Sequence, residues 1–94
     1  MPKNSKNEER RISPPEEVIG LLSNSRDLAV GQQLTQARDV IRAAKIVAGD
    51  FNLDDGIIFE RLLESVMSKP YAVLYAEFDN AFREIRMIWS KIKK

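Results

Sequence analysis

The sequence predicts an all-α protein, a small bundle of about four helices that ends in a long amphipathic one. Apolar residues recur at helical spacing in successive stretches, and Ser-, Gly- and Pro-containing breaks separate those stretches. The clearest case runs from Pro70 to Lys94, where Tyr71, Leu74, Phe78, Ala81, Ile85, Ile88 and Ile92 follow in steps of three and four. Tyr75, Phe82 and Trp89 form a second, heptad-spaced line beside it. At about 100° per residue the two lines span roughly 140° of helix surface, wider than a two-stranded coiled-coil seam. A face that broad needs cover from several helices, in this chain or in a partner.

The remaining elements follow in order. Residues 1–12 (MPKNSKNEERRI) are polar and aperiodic and read as a flexible basic arm, leaving 13–94 as a single helical domain. Ser13-Pro14-Pro15-Glu16 has the form of a helix start, with a capping Ser, Pro in the first turn and Glu completing a capping box. Val18, Ile19, Leu21 and Leu22 supply the buried face of a short first helix, which Ser23-Asn24-Ser25 is expected to end.

Ser25 then caps a second helix reaching about Ala48, with Leu34, Ala37, Ile41, Ala44 and Ala48 as its seam and Val30, Val40 and Val47 widening it. Gly31 weakens its early part by about 1 kcal/mol relative to Ala and marks a possible break there. Gly49-Asp50 closes it.

Asn52 or Asp54 is expected to cap a third helix, with Phe59, Leu62, Leu63, Val66 and Met67 facing inward. An alternative is a winged-helix-like domain with a short hairpin near 51–59, because Asp55-Gly56 between apolar residues is also a turn signal. The run from Asp50 to Arg61 imitates a calcium loop. It has Asp55 where the loop needs Gly and Arg61 where it needs a bidentate Glu, so no metal is expected. Ser68 can cap the final helix, with Pro70 in its first turn. On that helix Asp79 and Arg83 are spaced for an i,i+4 pair.

Composition narrows the function classes. The chain has 94 residues, 44% of them apolar, which is one small domain for which dimerisation is a common source of added stability. No apolar run approaches the roughly 18 residues of a membrane span, and no hydrophobic segment follows the basic start, so a cytoplasmic location is expected. Cysteine and histidine are both absent, which removes disulfides, thiolate sites and the commonest general base. No phosphate loop, zinc spacing or nucleophile elbow is present, and a protein without catalysis or cofactor is expected. A helix-turn-helix centred on Gly49 fits poorly, with Lys45 where a small residue belongs and Asp50 where an apolar one does.

The formal charge of +1 is unevenly spread. Residues 1–13 carry four bases and two acids, residues 14–50 four and five, residues 51–69 two and four, and residues 70–94 five and three. Basic ends and a mildly acidic middle suit a DNA-binding or DNA-associated protein that meets phosphates through Lys3, Lys6, Arg10 and Arg11 of the arm, the line Arg38, Arg42 and Lys45, and Lys91, Lys93 and Lys94. A homodimer is expected, its shared core drawing on Tyr75, Phe82, Ile85, Trp89 and Ile92. The alternative is a protein–protein adaptor or small subunit of an assembly, which the near-zero total charge favours.

Overall fold

A computed structural model describes residues 13–54, 56–68 and 70–93, with Tyr71 and Lys93 described by backbone alone. The described residues form four helices and no strand: α1 (Pro14–Val30), α2 (Leu34–Asp50), α3 (Ile58–Ser68) and α4 (Tyr71–Lys93). Each packs on its neighbour in sequence, and α4 closes the ring against α1. The hairpin alternative fails, since none of the described residues from 51 to 57 is in a strand and α3 has begun by Ile58.

The first helix does not stop at Ser23-Asn24-Ser25. It runs on to Val30 as one element, because its buried face continues at helical spacing through Pro15, Val18, Leu22, Ser25 and Ala29. Ser25, expected as a cap, is instead fully enclosed, and its Oγ donates to the Ala37 carbonyl at 2.8 Å across the α1–α2 hairpin. Ser13 precedes the helix but makes no side-chain capping bond, and Glu16 reaches α4 rather than closing a capping box.

The break at 31–33 is a Schellman turn: the Gln33 N–H donates to the Leu28 carbonyl at 2.9 Å and the Gln32 N–H to Ala29 at 3.0 Å. The left-handed residue is Gln32, at φ +67°, while Gly31 lies at φ −82°. The end of α2 repeats the device one turn later than Gly49 suggested. The Leu53 N–H donates to the Ala48 carbonyl at 2.7 Å, the Asn52 N–H donates to Gly49 at 3.1 Å, and Asn52 takes φ +62°. Leu53 and Ala48 are both fully buried, as the hydrophobic contact of this motif requires. Asn52 thus ends α2 rather than capping α3, and Asp54 accepts the Gly56 N–H at 2.8 Å in a turn ahead of α3.

The core gathers Val18, Leu22, Ile41, Leu53, Ile58, Phe59, Leu62, Leu74, Phe78 and Ile85, with alanines 29, 37, 44 and 48 letting α1 and α2 approach closely. Fully burying one large aliphatic or aromatic side chain contributes about 1.5–3 kcal/mol, so this cluster is the main source of stability. Met67, expected inward, is 54% exposed. Ser68 ends α3 by donating to the Glu64 carbonyl at 2.8 Å, and the Pro70 carbonyl opens α4 by accepting from Leu74 at 3.1 Å.

Candidate functional site

Two contacts fix how α4 lies on α1. Glu16 accepts from Arg86 Nε at 2.8 Å and Nη2 at 3.3 Å, and the Arg26 guanidinium stands 5.4 Å from the Tyr75 ring centre and 5.8 Å from that of Phe82. The start of α1 is therefore level with the end of α4, and the two run antiparallel. On the other side, Arg61 donates to Glu84 at 2.8 Å. Beyond these levels α1 extends by Pro14 and Pro15, and α3 by Ile58–Glu60. At 1.5 Å per residue the end of α4 runs about 8–10 Å past the starts of α1 and α3.

Burial along α4 records the overhang. Leu74, Phe78, Ala81 and Ile85 are enclosed, Ile88 and Trp89 are half-buried against the core, and Ile92 on the same stripe is 42% exposed. Met87, on the opposite face of the same turns, is 57% exposed. Of the residues expected in a shared dimer core, Phe82 and Ile85 are enclosed within this chain, with Phe82 packed 6.4 Å from Phe78. Tyr75, Trp89 and Ile92 keep accessible surface.

Of the expected phosphate contacts, the described side chains are Arg38, Arg42 and Lys45 on α2 and Lys91 on α4. Lys45 donates to Glu60 at 3.1 Å, and this hydrogen bond, with the charges of Glu60 and Asp54, raises its pKa. Arg42 lies 3.5 Å from Asp39, and Arg38 is folded against the body closely enough to enclose its Nε. Lys91 is exposed near the end of α4. Lys3, Lys6, Arg10, Arg11 and Lys94, and the side chain of Lys93, lie outside the described residues. Arg83 donates to Asn80 at 2.6 Å rather than to Asp79.

Arg26 was not among the expected positions, because nothing in its local sequence marks it. Its enclosed Nε has no hydrogen-bond partner among the described residues but lies 3.8 Å from the Asp27 carboxylate, and the two ring faces of α4 add a favourable contact for the cation. At the opposite end of α1, the Arg86 hydrogen bond holds the Glu16 carboxyl below its ordinary range, and Arg86 is raised in return.

Among the described residues no helix is long and apolar enough to cross a membrane, and no group of three or more acidic side chains is placed to hold a metal ion. Comparison with protein-family models, with curated proteins and with solved structures finds no match to this chain.

Proposed function

We propose that this protein is a non-catalytic helical association module that takes a protein partner at the overhanging end of α4. The observation that carries this reading is the change in burial along one stripe, from enclosed Ile85 to half-buried Trp89 to 42% exposed Ile92, with no matching change in residue character. Trp is enriched where interfaces concentrate their binding energy. The state of the cations agrees, since Lys45, Arg42 and Arg86 already face acids of this chain. A second copy is one candidate partner. A shared core would rest on Trp89 and Ile92, because Phe82 and Ile85 are reached only by opening the bundle.

A photo-crosslinking amino acid placed at Ile92 should give a discrete adduct in cells expressing the chain. The same group at Ile46, 71% exposed on α2, should give none. An adduct of twice the chain mass, with dimer sedimentation at micromolar concentration, identifies the partner as a second copy. Equal yields from both positions, or none from either, would sink the reading.

One observation favours nucleic-acid contact as a second reading. The Glu16–Arg86 bond places Ser13, to which the basic residues 1–12 are joined, beside the helix end that bears Lys91 and Lys93. Binding to random duplex DNA should then fall by a factor of at least about a thousand between roughly 50 and 200 mM salt, and fall further without residues 1–12. A flat salt dependence rejects this reading.

A further inference from the structure

We infer that the outer groove of the α1–α2 hairpin is a second docking surface, which takes a basic amphipathic helix. It lies on flanks of the two helices turned away from α3 and α4, so the inference stands apart from the association reading above. On α1, Glu16 and Arg26 mark the side toward α4, and on α2, Lys45 marks the side toward α3. The opposite flanks carry Leu21 and Leu28 on α1, and Val40 and Val47 on α2, each pair at heptad spacing and each side chain half-buried. Ser25 meets Ala37 across the hairpin, which brings Gly20 and Ala43 to about the same level, both exposed on the helix crests. A Cβ added at Gly20 would meet no atom within 4 Å, so none of the described residues requires glycine there, although glycine weakens a helix interior. Two small residues thus lower the walls midway along an apolar floor, where another helix can approach closely.

Charge selects the occupant. The exposed charged residues of α1 and α2 are Glu17, Asp27, Asp39 and Asp50 against Arg42 alone. The others are turned to the body: Glu16 meets Arg86, Lys45 meets Glu60, Arg26 stands over Tyr75 and Phe82, and Arg38 has its Nε enclosed. Asp39 lies 3.5 Å from Arg42 and Asp27 lies 3.8 Å from Arg26, whereas no ion pair joins Glu17 or Asp50 to a base among the described residues. A second copy would set these acids against their twins, and DNA would set phosphates against them. Residues 1–12 carry bases, but Met1 and Ile12 are their only large apolar side chains, too few to cover the floor. A helix with apolar anchors three and four residues apart and Lys or Arg on its flanks meets both requirements. Ile46, beside Lys45 on the α3 side of α2, stays outside the groove.

The full chain is titrated at fixed salt into three fluorescein-labelled helical peptides of about 18 residues, which share one leucine face and are flanked by Lys, Gln or Glu, and anisotropy is read. The expected result is saturable binding of the Lys peptide at a Kd at least about tenfold below that of the Gln peptide, with the Glu peptide weakest. Gly20→Leu should melt no lower than the parent, because its Cβ meets open space and Leu is the better helix former, yet weaken the Lys peptide at least about tenfold by filling the groove wall. Glu17→Lys with Asp50→Lys should reverse the order of the Lys and Glu peptides. If that variant melts early, Glu17→Gln with Asp50→Gln should remove the preference without reversing it. Equal binding of the Lys and Gln peptides overturns the basic occupant, and no response to any of the three overturns the docking surface. An unchanged Kd in Gly20→Leu would put the peptide elsewhere and overturn the groove. Crosslinking at Ile92 should be unaffected by Gly20→Leu, and its loss would overturn the separation of the two surfaces. A chain that sediments as a dimer, with the Lys peptide returning it to monomer, would reassign the groove to a second copy.

Discussion

Replacing Ser25 by Asp separates two accounts of the front half of this chain. If Ser25 capped a helix, Asp would serve as well, and the change would cost no more than about 0.5 kcal/mol. In the structure Ser25 is fully buried in the α1–α2 interface, with its hydroxyl on the Ala37 carbonyl. A carboxyl there loses its hydration, and burial raises its pKa by about three units, which at about 1.4 kcal/mol per unit costs about 4 kcal/mol at pH 7. That is a large share of the total stability of about 5–15 kcal/mol expected for a small domain. Because the folded pKa is the raised one, the penalty is present above the unfolded value of about 3.9 and shrinks as pH falls toward it, leaving less than about 1 kcal/mol at pH 4. The neutral acid can then donate to Ala37 as Ser does. Urea unfolding followed by Trp89 fluorescence at pH 7 and pH 4 measures both numbers. A cost under about 0.5 kcal/mol at pH 7 would refute the continuous α1 and restore a break at Ser25. Ser25→Ala does not discriminate, since losing a cap and losing a buried hydrogen bond both cost about 1 kcal/mol.

Gln32→Gly should stabilise the protein by about 1 kcal/mol by relieving a left-handed backbone at φ +67°, visible as a melting temperature raised by several degrees. Gly31→Ala, at a position of ordinary backbone and ordinary contacts, should not melt lower by more than a degree or two; a larger loss would place the strain at 31 instead. The Glu16–Arg86 pair is exposed and contributes about 0.5 kcal/mol at low salt. The Glu16 carboxyl is held below its ordinary 4.5, so this contribution is complete above about that pH and is lost as pH falls through the lowered value. Glu16→Gln should therefore melt slightly below the parent at pH 7 and level with it in acid, and an undiminished gap at pH 2 would contradict the assignment.

How much of this was legible in advance differs by element. The stripe of α4 from Leu74 to Ile85 and the alanine seam of α2 were readable, because burial follows a spacing of 3.6 wherever neighbours cover the whole helix. The length of α1 was also present in the spacing of Pro15, Val18, Leu22, Ser25 and Ala29. The weak stop at Ser23-Asn24-Ser25 obscured it, since polar residues tolerated within a packed helix resemble those that end one. Glu16 looked like a capping-box residue because local sequence offers it only local partners, whereas its partner Arg86 lies seventy positions away. The basic line Arg38, Arg42 and Lys45 looked free for the same reason, and Glu60 reaches Lys45 only once α3 has folded back along α2.

By itself, then, the sequence determined the helical class, the inward faces of the long helices and the excess of cations near both ends, since each depends on residue type and local period. The tertiary structure decided which cations are already engaged and that Phe82 and Ile85 belong to the chain's own core. It also decided where burial along α4 falls off, between Ile85 and Ile92, because that depends on what stands beside the helix at each level. Helix period is a property of neighbours in the chain. Cover is a property of neighbours in space, set by the levels at which Glu16 meets Arg86 and Arg61 meets Glu84.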